Sequence, residues 1–137
     1  MKKFAFLFLI SIFILSCSIS DDDSVRISHV FLPIESAELP DSFVLNETYQ
    51  IPISYFRPST CHSFNNFYYQ KNENERTVAI INNVIESESC EDLADDLVEV
   101  TLDFIAIYNQ TYVFKFWQGL DENDNDLYYV VEVPVIE

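Results

Sequence analysis

Residues 98–106 read VEVTLDFIA, and this stretch decides the fold class. Apolar side chains such as Val98, Leu102 and Phe104 alternate with mostly polar ones such as Glu99 and Asp103. Because successive side chains of a strand point to opposite faces of a sheet, alternation of this kind is typical of a half-buried strand. The stretch is therefore predicted to place one face in a hydrophobic core and the other mostly in water.

The same period, or a composition rich in β-branched and aromatic residues, recurs along the chain. Further strands are predicted over residues 26–32, 43–45, 50–56, 64–69, 77–85, 112–117 and 127–133. Clusters of Asn, Asp, Ser and Pro separate these segments, and no long helical pattern alternates with them. Strands without covering helices bury their apolar faces against one another. We therefore predict an all-β fold, an antiparallel β-sandwich of about seven to eight strands.

Two local features complete the secondary-structure prediction. The fold contains at most one short helix, over residues 89–97, where Ser89 can act as the cap. The chain has a single glycine, Gly119, so turn positions with positive φ are expected to fall to asparagine. The candidate positions are 65–66, 82–83 and 109.

Residues 108–114, YNQTYVF, resemble the turn into strand F of an immunoglobulin-like sandwich. In that architecture a tyrosine at the start of the strand bonds back to the backbone of the turn, an arrangement called the tyrosine corner. Tyr112 is the matching residue, and its alternative role is that of an ordinary core aromatic. Trp117 lies late in this strand and not in strand C, so the resemblance is to the general immunoglobulin-like sandwich and not to antibody domains.

The length and charge of the chain limit its function. Its 137 residues suit about one domain, and 23 acidic against 7 basic residues give a net charge of −16 at pH 7. Nucleic-acid binding needs clustered Lys and Arg, so this composition argues against it. It equally argues against binding an anionic membrane through a basic patch.

The N-terminus is expected to be an export signal. Met1-Lys2-Lys3 is a short positive start, and residues 4–15 are apolar except for Ser11, which is the form of a secretory signal. As a helix these twelve residues would span about 18 Å, which is too short to cross a bilayer. The following residues 14–17, ILSC, resemble the lipobox of bacterial lipoproteins. That resemblance implies that Cys17 is lipidated and becomes the new N-terminus, anchored in the lipid bilayer by its acyl chains. The alternative is ordinary cleavage after Ser16.

An acidic run follows the lipobox. Ser20 and the three aspartates Asp21, Asp22 and Asp23 resemble the surface-export signal of Bacteroidota lipoproteins. The resemblance implies an outer-membrane lipoprotein at the cell surface, and the alternative is a periplasm-facing domain on a solvated tether. The expected organisation is a signal peptide over 1–16, the lipidated cysteine and tether over 17–25, and one sandwich domain over 26–137.

From about residue 49 to its end the chain is similar to small uncharacterised flavobacterial lipoproteins. The similarity is carried by residues 55–64, YFRPSTCHSF, by residues 74–79, NERTVA, and by residues 111–119, TYVFKFWQG, with the loop after them. The similarity implies the fold and the cellular location, and it implies nothing about catalytic activity.

Two cysteines remain if Cys17 is lipidated. In an exported protein Cys61 and Cys90 are expected to form one disulfide. A metal site would need more ligands than His29 and His62 supply, and a nucleophilic Cys61 is disfavoured because its neighbour His62 would point to the opposite face of a strand. We therefore predict a disulfide, with no metal site and no cofactor.

Two acidic segments have alternative interpretations. Residues 121–126, DENDND, contain enough oxygen ligands to wrap a calcium ion, or they form a solvated hairpin loop. The acidic residues of the segment 86–96 surround Cys90, and a solvated surface is expected there in preference to a pair of catalytic carboxylates.

Aromatic residues are abundant for so small a domain. Those singled out are Phe64, Phe67, Tyr68, Tyr69 and Trp117, which either fill the core or, where exposed, bind a partner. We expect a non-enzymatic lipoprotein with no catalytic residues, a structural or binding module that presents its sandwich to a protein or glycan partner. The alternatives are a small carboxylate-dependent hydrolase and a subunit of a larger envelope complex.

Overall fold

The computed structural model describes residues 24–137, and all of the regular secondary structure in this range is β-strand. The strands are β1 (Ile27–Leu32), β2 (Ser36–Ala37), β3 (Phe43–Val44), β4 (Thr48–Phe56), β5 (His62–Asn72), β6 (Glu75–Ile85), β7 (Leu97–Ile105), β8 (Tyr112–Leu120), β9 (Asp126–Val133) and β10 (Val135–Ile136). The predicted strands are all present, and the two-residue strands β2 and β10 bring the number to ten.

Two main sheets face each other. Strands β5, β6, β8, β9 and β1 form a five-stranded sheet, and β2, β4 and β7 form a three-stranded sheet. Strand β5 pairs with one edge of β6, whereas the other edge of β6 is shared: β1 pairs with its residues 80–85 and β8 with its residues 75–78. Most pairs are antiparallel, but β6 pairs with β8, and β3 with β10, in parallel.

The core lies between the two main sheets. Strand β7 contributes Leu102 and Phe104 to it, while Thr101, Asp103 and Ile105 of the same strand face outward, as the alternation predicts. The other fully buried hydrophobic residues include Ile34, Phe43, Ile51, Ile53, Tyr55, Val78, Ile80, Tyr112, Phe114, Phe116 and Val133. The prediction of an all-β sandwich is therefore confirmed.

The predicted tyrosine corner is present. The ring of Tyr112 is completely buried, and its hydroxyl oxygen accepts hydrogen bonds from the backbone N–H groups of Ile107 (2.9 Å) and Tyr108 (3.0 Å). Tyr112 thus fills the core and also fixes the turn into β8. Strand β4 begins in the same way, because the Tyr49 hydroxyl accepts a hydrogen bond from the backbone N–H of Val44 at 2.7 Å.

The limit of at most one short helix holds for the described residues, whereas the positions predicted for positive φ are wrong. Residues 89–97 contain no helix, because an extended bridge from Ser59 to Asp92 and a positive φ at Asp95 hold the segment in turns. Among residues 24–137 the non-glycine residues with positive φ are Asn46, Glu73, Asp95 and Asp124; one of these is an asparagine, but none lies at the predicted positions. Residues 65–66 and 82–83 lie inside β5 and β6, so tertiary pairing has overridden their local turn preference.

The lipidation and export predictions lie outside the described residues. This applies to Cys17, Ser20, Asp21, Asp22 and Asp23, to the signal peptide over 1–16 and to most of the tether over 17–25. Between residues 24 and 137 there is no helix of the length and hydrophobicity that a membrane span requires.

Candidate functional site

A cleft of about 330 Å³ opens on the outer face of the five-stranded sheet, and Ala79 forms its floor. On the edge of β6 shared by β1 and β8, Val78 pairs with Phe116 of β8 and Ile80 with Leu32 of β1, so Ala79 lies at the junction between them. Ala79 is only 4% exposed although it faces away from the core. A small side chain here leaves space that larger neighbours surround.

Four aromatic side chains from four strands form the walls of the cleft. They are Phe31 of β1, Tyr68 of β5, Trp117 of β8 and Tyr128 of β9, and Thr77 and Asp126 complete the lining. The Phe31 ring packs edge-to-face against Tyr68, at 5.8 Å between centroids, and against Trp117, at 6.2 Å. Phe31, Tyr68 and Tyr128 are 54%, 39% and 38% exposed. Contiguous exposed aromatic surface of this kind marks interaction sites in soluble domains.

A hydrogen bond fixes the orientation of the tryptophan. The indole Nε1 of Trp117 donates to Oδ1 of Asp126 at 2.8 Å, which places a carboxylate at the rim of the cleft. A bulge in β8 between Trp117 and Leu120 shifts the pairing with β9. Gly119 lies in this bulge with a φ of 100°, a conformation that suits only glycine.

The electrostatics of the cleft are those of one carboxylate beside neutral rings. Partial burial raises the pKa of the Tyr128 hydroxyl, Asp126 raises it further, and Lys115 opposes both. Tyr128 is therefore a neutral hydrogen-bonding group at physiological pH. Lys115 forms an ion pair with Glu75 at 3.3 Å, so the pair adds no net charge to this face.

The five aromatic residues singled out from the sequence divide between the two faces of the sheet. Phe64, Phe67 and Tyr69 pack against the core, whereas Tyr68 and Trp117 line the outer cleft. Phe31 and Tyr128 were not predicted as site residues, and Asp126 was predicted only as a member of the acidic loop 121–126. The signal that was available for Tyr128 was its position out of phase with the buried residues of 127–133.

The predicted disulfide is confirmed. Cys61 and Cys90 are bonded, with their Cα atoms 5.4 Å apart. The same junction is held by an ion pair between Arg57 and Asp96 at 2.6 Å and by a hydrogen bond from the backbone N–H of Thr60 to the Glu91 carbonyl at 2.9 Å. Most carboxylates of the segment 86–96 are exposed to solvent, as expected for a solvated surface.

The loop 121–126 is held together by hydrogen bonds between its own residues. Oδ1 of Asp121 accepts from the backbone N–H groups of Asn123 (2.7 Å) and Asn125 (2.9 Å), and the Asn125 side chain also donates to it. These bonds lower the pKa of Asp121. Across residues 24–137 no group of three or more His, Cys, Asp and Glu side chains is arranged to hold a metal ion.

One serine–histidine contact has the residue types of a nucleophile and a base. Ser59 Oγ lies 2.7 Å from Nδ1 of His62, but Ser59 is 7% exposed and its Oγ also accepts from the backbone N–H of Cys61. The contact therefore stabilises the turn before β5, and it offers no reachable nucleophile.

Comparisons of the chain with protein-family models, with curated proteins and with solved structures find no match.

Proposed function

We propose that this protein is a non-enzymatic bacterial surface lipoprotein whose sandwich binds a ligand in the aromatic cleft of its outer sheet. The observation that carries the proposal is the convergence of Phe31, Tyr68, Trp117 and Tyr128 over Ala79. Aromatic side chains give a large contact area at a low cost in conformational entropy, so they suit recognition of a protein or a glycan.

The chemistry of the lining favours binding over hydrolysis. A carboxylate-dependent hydrolase needs two carboxyl groups facing each other across a cleft, about 5–9 Å apart. Among the described residues that line the cleft, Asp126 is the one carboxylate, and it accepts a hydrogen bond from Trp117.

The lipid anchor is the second part of the proposal, and it follows from the ILSC motif and the aspartates after it. A Cys17→Ser variant should lose incorporation of an alkyne fatty acid and should leave the membrane fraction. Replacing Asp21, Asp22 and Asp23 with asparagine should keep the acyl label and abolish access of external protease on intact cells. An acylated Cys17→Ser protein would contradict the anchor.

Binding can be followed through the single tryptophan of the chain, Trp117, because it lies in the cleft. The full chain is purified in a polyoxyethylene detergent, which contains neither sugar nor ammonium groups, and titrated with neutral oligosaccharides and with peptides. We expect a saturable change in fluorescence that Phe31→Ala abolishes. Phe56→Ala is the matched control, because Phe56 is also an exposed phenylalanine (43%, against 54% for Phe31) and lies at the end of β4 in the other sheet. The absence of any saturable change across the panel would contradict the proposal.

The edge of the five-stranded sheet supports one alternative, a subunit of an envelope complex. Strand β9 pairs with β8 alone among the described strands, and its residues Leu127, Tyr129 and Val130 are 45–51% exposed. Such an edge can accept a strand from another chain. A Val130→Lys substitution should then release a partner strand and reduce the molecular mass measured by light scattering, whereas ligand binding in the cleft should persist.

A further inference from the structure

The ring of Phe31 is steeply inclined to its two aromatic neighbours in the cleft. The ring planes of Phe31 and Tyr68 meet at 82°, and those of Phe31 and Trp117 at 68°. A sugar ring stacks on a flat aromatic face, whereas rings set at steep angles surround a compact group from several sides. The geometry therefore suits a small, rounded group entering from above Ala79.

The charge around the cleft selects a cation. Among the described residues that form the lining there is no Lys, Arg or His, and Asp126 contributes a carboxylate at the rim. Lys115, which lies on the same face of β8 as Trp117, is paired with Glu75. The faces of aromatic rings are the negative parts of their quadrupoles, and the whole chain carries a net charge of −16. A positive group is attracted by all three contributions.

The lining also discriminates between kinds of ammonium group. A primary ammonium has three N–H donors, each of which needs an acceptor when it leaves water. Ala79 and four aromatic side chains form most of the lining, and the groups that could accept from an N–H donor are limited to Thr77, Asp126 and the hydroxyls of Tyr68 and Tyr128. A quaternary ammonium has no N–H donor, so it enters such surroundings without leaving a hydrogen bond unmade.

We propose that the cleft is an aromatic cage for the trimethylammonium group of a methylated lysine side chain on a partner protein. This rests on the proposed function, because it assigns a ligand to the same cleft. A phosphocholine group on a glycan carries the same cation, but it also brings a phosphate toward Asp126 and toward a strongly acidic chain. A trimethyllysine brings only an aliphatic stem, so the charge of this protein favours it.

The probes are blocked amino acids titrated against Trp117 fluorescence, with the full chain in polyoxyethylene detergent. We expect Nα-acetyl-trimethyllysine amide to bind about tenfold or more tightly than its unmethylated form and than its neutral tert-butyl isostere. It should also bind more tightly than phosphocholine. Equal affinity for the charged and neutral isosteres would overturn the cage, and tighter binding of phosphocholine would overturn the assignment to a protein partner.

Three variants test the contributions separately. Asp126→Asn keeps an acceptor for the Trp117 indole but removes the charge, and we expect it to weaken trimethyllysine binding about three- to tenfold while leaving the neutral isostere unaffected. Ala79→Leu should fill the floor and abolish binding, and Phe56→Ala should change nothing. Oligosaccharide binding without trimethyllysine binding would overturn this inference alone, whereas a cleft that binds no probe would overturn the proposed function as well.

Discussion

The guanidinium carbon of Arg76 lies 4.9 Å from the centre of the Tyr112 ring, in the interior of the sandwich. Arg76 is 2% exposed, and its Nη1 donates hydrogen bonds at 2.7 Å to the carbonyl oxygens of Glu73 and Glu75. Tyr108 covers the cation from another side at 5.8 Å. Among the described residues no carboxylate forms an ion pair with Arg76. Aromatic faces and carbonyl dipoles therefore stabilise this buried charge, and they join the start of β6 to the tyrosine corner of β8.

Replacing the buried cation should be costly. Arg76→Ala removes the packing against two rings and two charge-assisted hydrogen bonds, so we expect the free energy of unfolding to fall by about 2–4 kcal/mol. Urea denaturation followed by Trp117 fluorescence measures it. Lys115→Ala is the control, because its ion pair is about one-third exposed and should contribute less than about 1 kcal/mol. Equal losses in the two variants would contradict the structural role of Arg76.

The tyrosine corner can be tested by removing a single oxygen atom. Tyr112→Phe leaves the backbone N–H groups of Ile107 and Tyr108 without their acceptor, and the loss should be about 1–3 kcal/mol. Tyr108→Phe keeps the ring over Arg76 and should change stability by less than about 0.5 kcal/mol. A Tyr112→Phe protein as stable as the parent would show that the corner does not hold the turn.

The disulfide should stabilise the folded protein, so that removing it lowers the free energy of unfolding. Cys61 and Cys90 are 29 residues apart in sequence, and a closed loop of this size is worth about 3.5 kcal/mol in the chain-entropy model. We expect a Cys61→Ala/Cys90→Ala double variant to have a lower urea midpoint of unfolding than the parent. Dithiothreitol should leave the midpoint of the variant unchanged and lower that of the parent. An unchanged midpoint after verified reduction would argue against this contribution.

The loop 121–126 should contribute to acid sensitivity. Hydrogen bonds from Asn123 and Asn125 lower the pKa of Asp121 below its unfolded value, so the stabilisation is present above about pH 4 and is lost as the pH falls through the folded pKa. Asp121→Asn keeps an acceptor oxygen but does not titrate. The difference in melting temperature between parent and variant should therefore shrink from pH 5 toward pH 2, and a difference that does not vary with pH would contradict the assignment.

The bulge of β8 depends on its glycine. A Cβ at Gly119 would lie 3.6 Å from Cγ of Pro33, an ordinary contact, so the cost of Gly119→Ala comes from the φ of 100° and should be about 1–3 kcal/mol. Leu120→Ala, at an exposed neighbouring position, should cost less than about 0.5 kcal/mol. Because the bulge adjoins Trp117, we also expect Gly119→Ala to shift the tryptophan emission, and an unshifted spectrum would place the strain elsewhere.

The strands were predictable from the sequence because each depends on side chains two residues apart. The alternation in 98–106 and the pairing of Cys61 with Cys90 needed no knowledge of the rest of the fold. Residues 89–97, the candidate for a single short helix, form turns because their local preference competes with the disulfide and with the contacts of residues 57–60. The asparagines at 65–66 and 82–83 do not form the predicted turns for a similar reason, since strand pairing places them inside β5 and β6.

By itself the sequence determined the class of fold, because period-two spacing is a local property, and it predicted the disulfide because two cysteines remain once Cys17 is set aside. Only the tertiary structure decided that Phe31, Tyr68, Trp117 and Tyr128 meet over Ala79. These residues come from four strands, and their meeting requires β1 and β8 to share one edge of β6. Periodicity says which face of a strand a residue occupies, whereas the neighbours of that residue depend on pairings between distant segments.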